Sequence, residues 1–144
     1  MAGMTLADLS EKMGKIDFGM LSTRTRGGAV ASRPMSNNGE VGYHGDSFFF
    51  TYEGARSVAD IEGDAQVGLT FTGAAGLLGG PPLFIAVEGN AELIRDKTQF
   101  AAHWIKDLDR WFRQGIDTLG VVMIRVRAVR IHYWNGGDEG EVAL

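Results

Sequence analysis

The stretch VVMIRVRAVRIHYW (121–134) alternates apolar and polar residues with a period of two, then breaks its own rhythm. Arg125 and Arg127 share one parity, whereas Arg130 and His132 fall on the other; Ile124 and Val126 are likewise out of step with Val129 and Ile131. A period of two marks a strand with one buried face, and one extra residue sends every later side chain to the opposite face. A long strand with a β-bulge near Ala128–Val129 restores a single apolar face. Such a strand needs partners, so the chain has to be mostly β.

Those partners are present. LFIAVEGNAELI (83–94) alternates for a second long strand, with Leu83, Ile85, Val87, Ala91 and Leu93 on one side. IDFGMLST (16–23), AVASRPM (29–35) and AQVGLTF (65–71) read as shorter strands. VGYHGDSFFFTYE (41–53) reads as two strands around a hairpin-like break at Gly45–Asp46. Glycine, at 21 of 144 residues, is about twice its usual share of roughly 7%. The composition of RTRGG (24–28) and SNNGE (36–40) predicts turns. Three helical patterns remain. Thr5 caps the first, with Asp8 three residues on and Leu6, Leu9 and Met13 on one face before Gly14. RSVADIEG (56–63) turns Val58 and Ile61 inward and stops at Gly63, and DKTQFAAHWIKDLDRWFRQG (96–115) is two helices or one bent helix. These elements predict a β-barrel with peripheral helices: six to seven largely antiparallel strands in one domain over 1–135, with 136–144 a flexible tail.

Several chemistries lack their residues. Cysteine is absent, which removes disulfides, thiolate metal sites and thiol nucleophiles. His44, His103 and His132 are far apart and have no carboxylate at ligand spacing, so no metal site is expected. No nucleophile elbow or dinucleotide fingerprint occurs. The apolar loop GAAGLLGGPP (73–82) lacks the lysine of a phosphate loop. A net charge of −4 argues against a nucleic-acid partner, and the arginines of RVRAVR read as a solvated face or ion pairs. Residues 1–16 hold no apolar run suited to a signal peptide or membrane span, so the expected setting is the cytoplasm with no membrane contact.

The junction FFFTYEGARS (48–57) is the candidate site. A strand ends at Thr51 and a helix starts near Arg56–Ser57, where the first backbone N–H groups have no intrahelical partner and favour an anion. Thr51 and Ser57 offer hydroxyls and Arg56 a planar guanidinium, a set suited to a phosphate monoester. The structural alternative has Ser57 or a neighbour capping the helix while Arg56 pairs with Asp60. Arg33, at the end of a neighbouring strand in SRPM (32–35), would need a counter-charge too, and a ligand phosphate is a candidate. Trp104 and Trp111 are seven residues apart and serve packing or line a flat ligand; Trp134 poses the same choice.

Taken together, DFGMLST, SRPM, FFFT, Arg56–Ser57 before VADI, AVEGNAEL, the HW and DRWF-x-x-G region and the closing YWN resemble one family. It comprises the flavin-binding split barrels related to pyridoxamine 5'-phosphate oxidase, in the bacterial general stress protein branch. The resemblance spans nearly the whole chain. It implies a split-barrel homodimer with one FMN, FAD being the alternative, in each of two sites at the subunit interface. By residue it places Arg33, Pro34, Met35 and Ser36 along the isoalloxazine and ribityl chain. Phe50 and Thr51 lie at the strand end by the flavin and its phosphate, Arg56 and Ser57 at the phosphate, and Trp111 and Trp134 near the ring. Relatives usually carry lysine where this chain has Ser57, and YWD where it has YWN. The implied function is flavin binding with flavin-dependent oxidoreductase activity; the alternatives are a non-catalytic flavin carrier in stress responses or a β-protein without ligand. No catalytic residue stands out beyond His44 and Tyr52, and no second cluster for a substrate phosphate supports true pyridoxamine phosphate oxidation.

Overall fold

The structure, a computed structural model, describes residues 3–37, 42–73 and 80–144. The expected turn at 36–40 and the loop at 73–82 therefore lie largely outside the described residues. Seven strands form one antiparallel sheet: β1 (Phe18–Arg24), β2 (Val30–Ser36), β3 (Asp46–Tyr52), β4 (Gln66–Thr72), β5 (Leu83–Ile94), β6 (Val121–Asn135) and β7 (Asp138–Ala143). Their order is β2-β1-β4-β5-β6-β3, with β7 also paired to β6. Three helices flank it: α1 (Leu6–Met13), α2 (Arg56–Gly63) and α3 (Lys97–His103). The sheet is a split barrel, as expected.

The alternation in the sequence places the core. Leu21, Leu69, Phe71, Ile85, Val87, Phe49, Ile124, Val126 and Ile131 point inward and are sealed by Leu9 and Met13 of α1. That helix carries the expected capping box, Thr5 Oγ1 accepting from Asp8 N–H while Asp8 accepts from Thr5 N–H. A second apolar cluster packs Phe50, Val121 and Met123 against Phe100, Leu108 and Phe112. Both faces of β6 are thus covered near its start, which explains why Val121 to Ile124 are all buried instead of alternating.

The bulge is where the phase defect put it. Glu88 pairs with Arg130 and Gly89 with Ala128, so Val129 is the extra residue. Val129 is half-exposed and does not join the apolar face, which continues through Ile131 and Tyr133.

Two expectations need correction. Residues 136–144 are not a loose tail: Gly136, at φ +66°, helps turn the chain so that β7 pairs with β6 from Asn135↔Asp138 to Arg130↔Ala143. Charge had masked this strand, since DEGEVA has little apolar pattern; its acidic residues face a partner instead. His132 Nε2 lies 2.6 Å from Glu139 and its Nδ1 3.2 Å from Glu141. Among the described residues of 41–53 there is one strand, beginning at Asp46, with Gly45 at φ +108° marking the bend into it. The 96–115 segment takes the first of its two expected forms: α3 is capped by Trp104 in an extended conformation, and a separate 3-10 helix follows over Lys106–Arg110. Trp104 and Trp111 therefore do not share one helical face.

Candidate functional site

β2 and β3 are not hydrogen-bonded neighbours; they are the two ends of the strand path. Their edges meet across an open cleft of about 350 Å³, within the roughly 300–1,000 Å³ usual for small-molecule sites. Pro34, Met35 and Ser36 of β2 form one wall and Phe50, Thr51 and Tyr52 of β3 the other. Phe18 of β1 and the 3-10 segment, through Leu108, Trp111 and Phe112, complete the lining.

The 3-10 wall is held in place from several sides. Tyr52 Oη donates to the Trp111 carbonyl at 3.2 Å, and the Arg110 guanidinium lies 5.1 Å from the Trp111 ring centroid. Trp111 stays half-exposed, with aromatic surface free at the cleft. Trp104 turns away into the second core, edge-on to Phe50 and Phe112, its indole N–H donating to Asp109 at 2.9 Å. Packing is its role.

At the end of β3 the chain turns through Glu53 and Gly54 into α2. Ala55 occupies the N-cap and supplies no side-chain hydrogen bond. Arg95 reaches both Glu53 and Glu62, gripping the entry and the last turn of α2, and its hydrogen bonds hold the Glu53 carboxyl below the ordinary range. Neither part of the structural alternative at this junction is realised. Ser57 is buried and does not cap, and Asp60 is bound elsewhere: it accepts from Thr23 Oγ1 at 2.7 Å and lies 3.5 Å from Arg33 Nη2. Among the described residues, no hydrogen bond or ion pair holds the exposed Arg56 guanidinium.

Of the residues singled out from the sequence, Pro34, Met35, Ser36, Phe50, Thr51 and Trp111 line one cleft. Four do not. Arg33 points to the inner face, where Nη1 donates to the Leu21 carbonyl and to Thr23 Oγ1. Its counter-charge is Asp60 and needs no ligand. Arg56 and Ser57 sit at the start of α2 and do not line the cleft, and the burial of Ser57 removes its hydroxyl from the surface. Trp134 lies on the outer face of β6, opposite Phe84 and stacked on His132 at 4.3 Å. Sequence reasoning passed over Phe18, Leu108 and Phe112. Phe18 had a visible signal, a large apolar residue on the outward parity of its strand. Leu108 sits in a five-residue 3-10 helix and Phe112 in the irregular chain after it, and neither stretch is long enough to show an apolar period.

Among the described residues, no group of three or more His, Asp or Glu side chains is arranged to hold a metal, and no helix is long and apolar enough to cross a membrane. Solved structures share the fold. A Clostridium acetobutylicum protein related to general stress protein 26 of Bacillus subtilis (pyridoxinephosphate oxidase family) is 15% identical and superposes with a TM-score of 0.79, covering 96% of this chain and 94% of that one. A FAD-binding protein from Mesorhizobium loti is 14% identical at TM-score 0.72, covering 90% and 94%. A heme binding protein from Mycobacterium smegmatis is 15% identical at TM-score 0.75, covering 99% of this chain and 60% of that one. No curated protein matches the chain. The family model described as pyridoxamine 5'-phosphate oxidase like matches residues 5–143, and the chain belongs to that family.

Proposed function

We propose that the chain is a flavin-binding protein of the cytoplasm, with FMN as its expected ligand and FAD as a possible one. The flavin ring occupies the β2–β3 cleft and its phosphate the start of α2. The observation that carries this reading is the pairing of an aromatic cleft with a helix start that has no side-chain cap and an uncommitted arginine. The residues fit the group. Trp111, Phe50, Pro34 and Met35 offer apolar surface to a flat ring, and Thr51 and Ser36 offer hydroxyls. Bound flavin supplies redox chemistry, while the protein orients it and excludes water. Tyr52 is the only titratable side chain among the lining residues, and its hydroxyl is already bonded to Trp111. That favours a carrier, or an oxidoreductase whose chemistry is the flavin's own, over acid–base catalysis.

Titration with FMN, FAD, riboflavin and hemin, followed by flavin fluorescence and heme absorbance, tests the reading. FMN is expected to bind with quenching. No flavin binding at about 100 µM, a free energy weaker than roughly 5.5 kcal/mol, would reject it, and tight hemin binding in its place would assign the cleft to a porphyrin.

We also propose a homodimer with each cleft closed by the second subunit. Phe18, Met20, Phe84 and Trp134 are all exposed, and the strand register puts them on one outward parity of β1, β5 and β6. An obligate pair typically buries roughly 2,000 Å² or more. Light scattering at micromolar concentration should give twice the mass of the chain; a monomer with flavin present would contradict the proposal.

A further inference from the structure

The 3-10 wall of the cleft is tied to the sheet at one polar point. Leu108 and Phe112 turn into the second core, whereas the Trp111 ring lines the cleft and stays half-exposed. A five-residue 3-10 helix holds its own shape weakly, because its hydrogen bonds are poorly aligned. Trp111 closes that helix: its N–H donates to the Leu108 carbonyl, and its own carbonyl lies past the last helical bond. Tyr52, the final residue of β3, donates to that carbonyl at 3.2 Å. Among the described residues this is the one hydrogen bond from the sheet to residues 106–114. The Tyr52 ring also leans on Phe112, with centroids 5.0 Å apart at 42°. Arg110 covers the Trp111 ring at 5.1 Å without itself lining the cleft. The backbone beneath the indole and the indole itself are both held before any ligand arrives.

We infer that Tyr52 is a positioning residue whose hydroxyl fixes Trp111 as a preformed stacking platform, strengthening the binding of a flat ring through the indole. This rests on the flavin reading above. The physical reason is ordering. Immobilising one side chain on binding lowers affinity by roughly two- to tenfold, and a platform already held avoids that loss. The benefit belongs to the ring, so riboflavin and FMN should share it equally. Tyr52 lines the cleft too, which leaves a rival account in which its hydroxyl bonds the ligand directly. The two accounts differ in whether the indole is needed for the hydroxyl to matter.

Tyr52→Phe tests this, because it removes the hydroxyl and keeps the ring against Phe112. Dissociation constants for riboflavin and FMN should both rise about two- to tenfold, with their ratio unchanged. In a Trp111→Ala background the same substitution should have no further effect, since the platform is gone. A ligand-free measurement supplies the second readout. In Trp134→Phe, Trp111 is the most exposed tryptophan left, and adding Tyr52→Phe should increase the quenching of its fluorescence by acrylamide. Unchanged riboflavin affinity in folded Tyr52→Phe overturns the inference and leaves the flavin reading standing. An equal loss of affinity with and without the indole also overturns it, in favour of a direct contact. Absence of binding for both flavins in the wild-type chain overturns the flavin reading and the inference together.

Discussion

Replacing Gly89 by valine is expected to destabilise the protein by roughly 3 kcal/mol. A Cβ at this position would lie 2.7 Å from the Arg127 carbonyl oxygen and 3.1 Å from Val126 Cγ1. Both neighbours belong to β6 beside the bulge, and a backbone carbonyl cannot swing aside as a flexible side chain can. Relief therefore requires opening the ladder between β5 and β6 where two residues of β6 oppose one of β5. Urea unfolding should show a lower midpoint at an unchanged slope. Gly63→Ala is the matched control. It lies in the last turn of α2 with no atom within 4 Å of the added methyl. It should stabilise by about 0.4–1 kcal/mol, because alanine loses less backbone freedom on folding. Equal effects from the two substitutions would mean that the close approach at Gly89 is not what holds the bulge.

Arg56→Ala is expected to weaken FMN by about 1.5–3 kcal/mol, roughly ten- to more than a hundredfold, while leaving riboflavin nearly unaffected. The guanidinium is exposed and makes no ion pair within the described residues, so its removal costs the fold little. What it loses is a charge-assisted contact available only to a phosphorylated ligand. Added salt should shrink the difference, since an exposed charge is screened over about 10 Å at 0.1 M. A fall in melting temperature with an unchanged FMN-to-riboflavin ratio would exclude Arg56 from the phosphate site. The converse substitution, Ser57→Lys, is a poor test despite the lysine of relatives. Ser57 is buried, and a lysine there would first have to find a route to water.

The fold was legible where one physical rule governed each segment. Period-two alternation gave β4, β5 and β6, and the broken phase gave the bulge at Val129, because burial of one face dictates both. The capping box at Thr5 and Asp8 is local chemistry and was equally readable. The cleft was half legible: SRPM and FFFT were chosen for their place at strand ends, and both line it. The relation between those two strands was not legible. No local pattern reveals that β2 and β3 end a path of six strands and meet without a ladder. Arg33 and Asp60 failed for a related reason. An arginine on the inward parity of a strand and an aspartate on a helix give no sign in sequence that they find each other across the barrel's end. An arginine at a strand end needs a counter-charge, and in sequence a ligand phosphate and a distant aspartate serve equally well. β7 is illegible because an acidic stretch with almost no apolar pattern reads as a tail, and its neighbour His132 lies on a different strand.

The split between β2 and β3 means that the aromatic cleft coincides with a seam in the hydrogen bonding. Each strand from β2 through to β3 is tied to the next by backbone ladders, so any slight change of twist along the path accumulates at its two free ends. Those ends are the walls of the cleft. No ladder fixes the width of the recess, so a change of width would break no hydrogen bond between strands. A ring wedged there would act as a rivet, joining the first and last staves of an otherwise open cask.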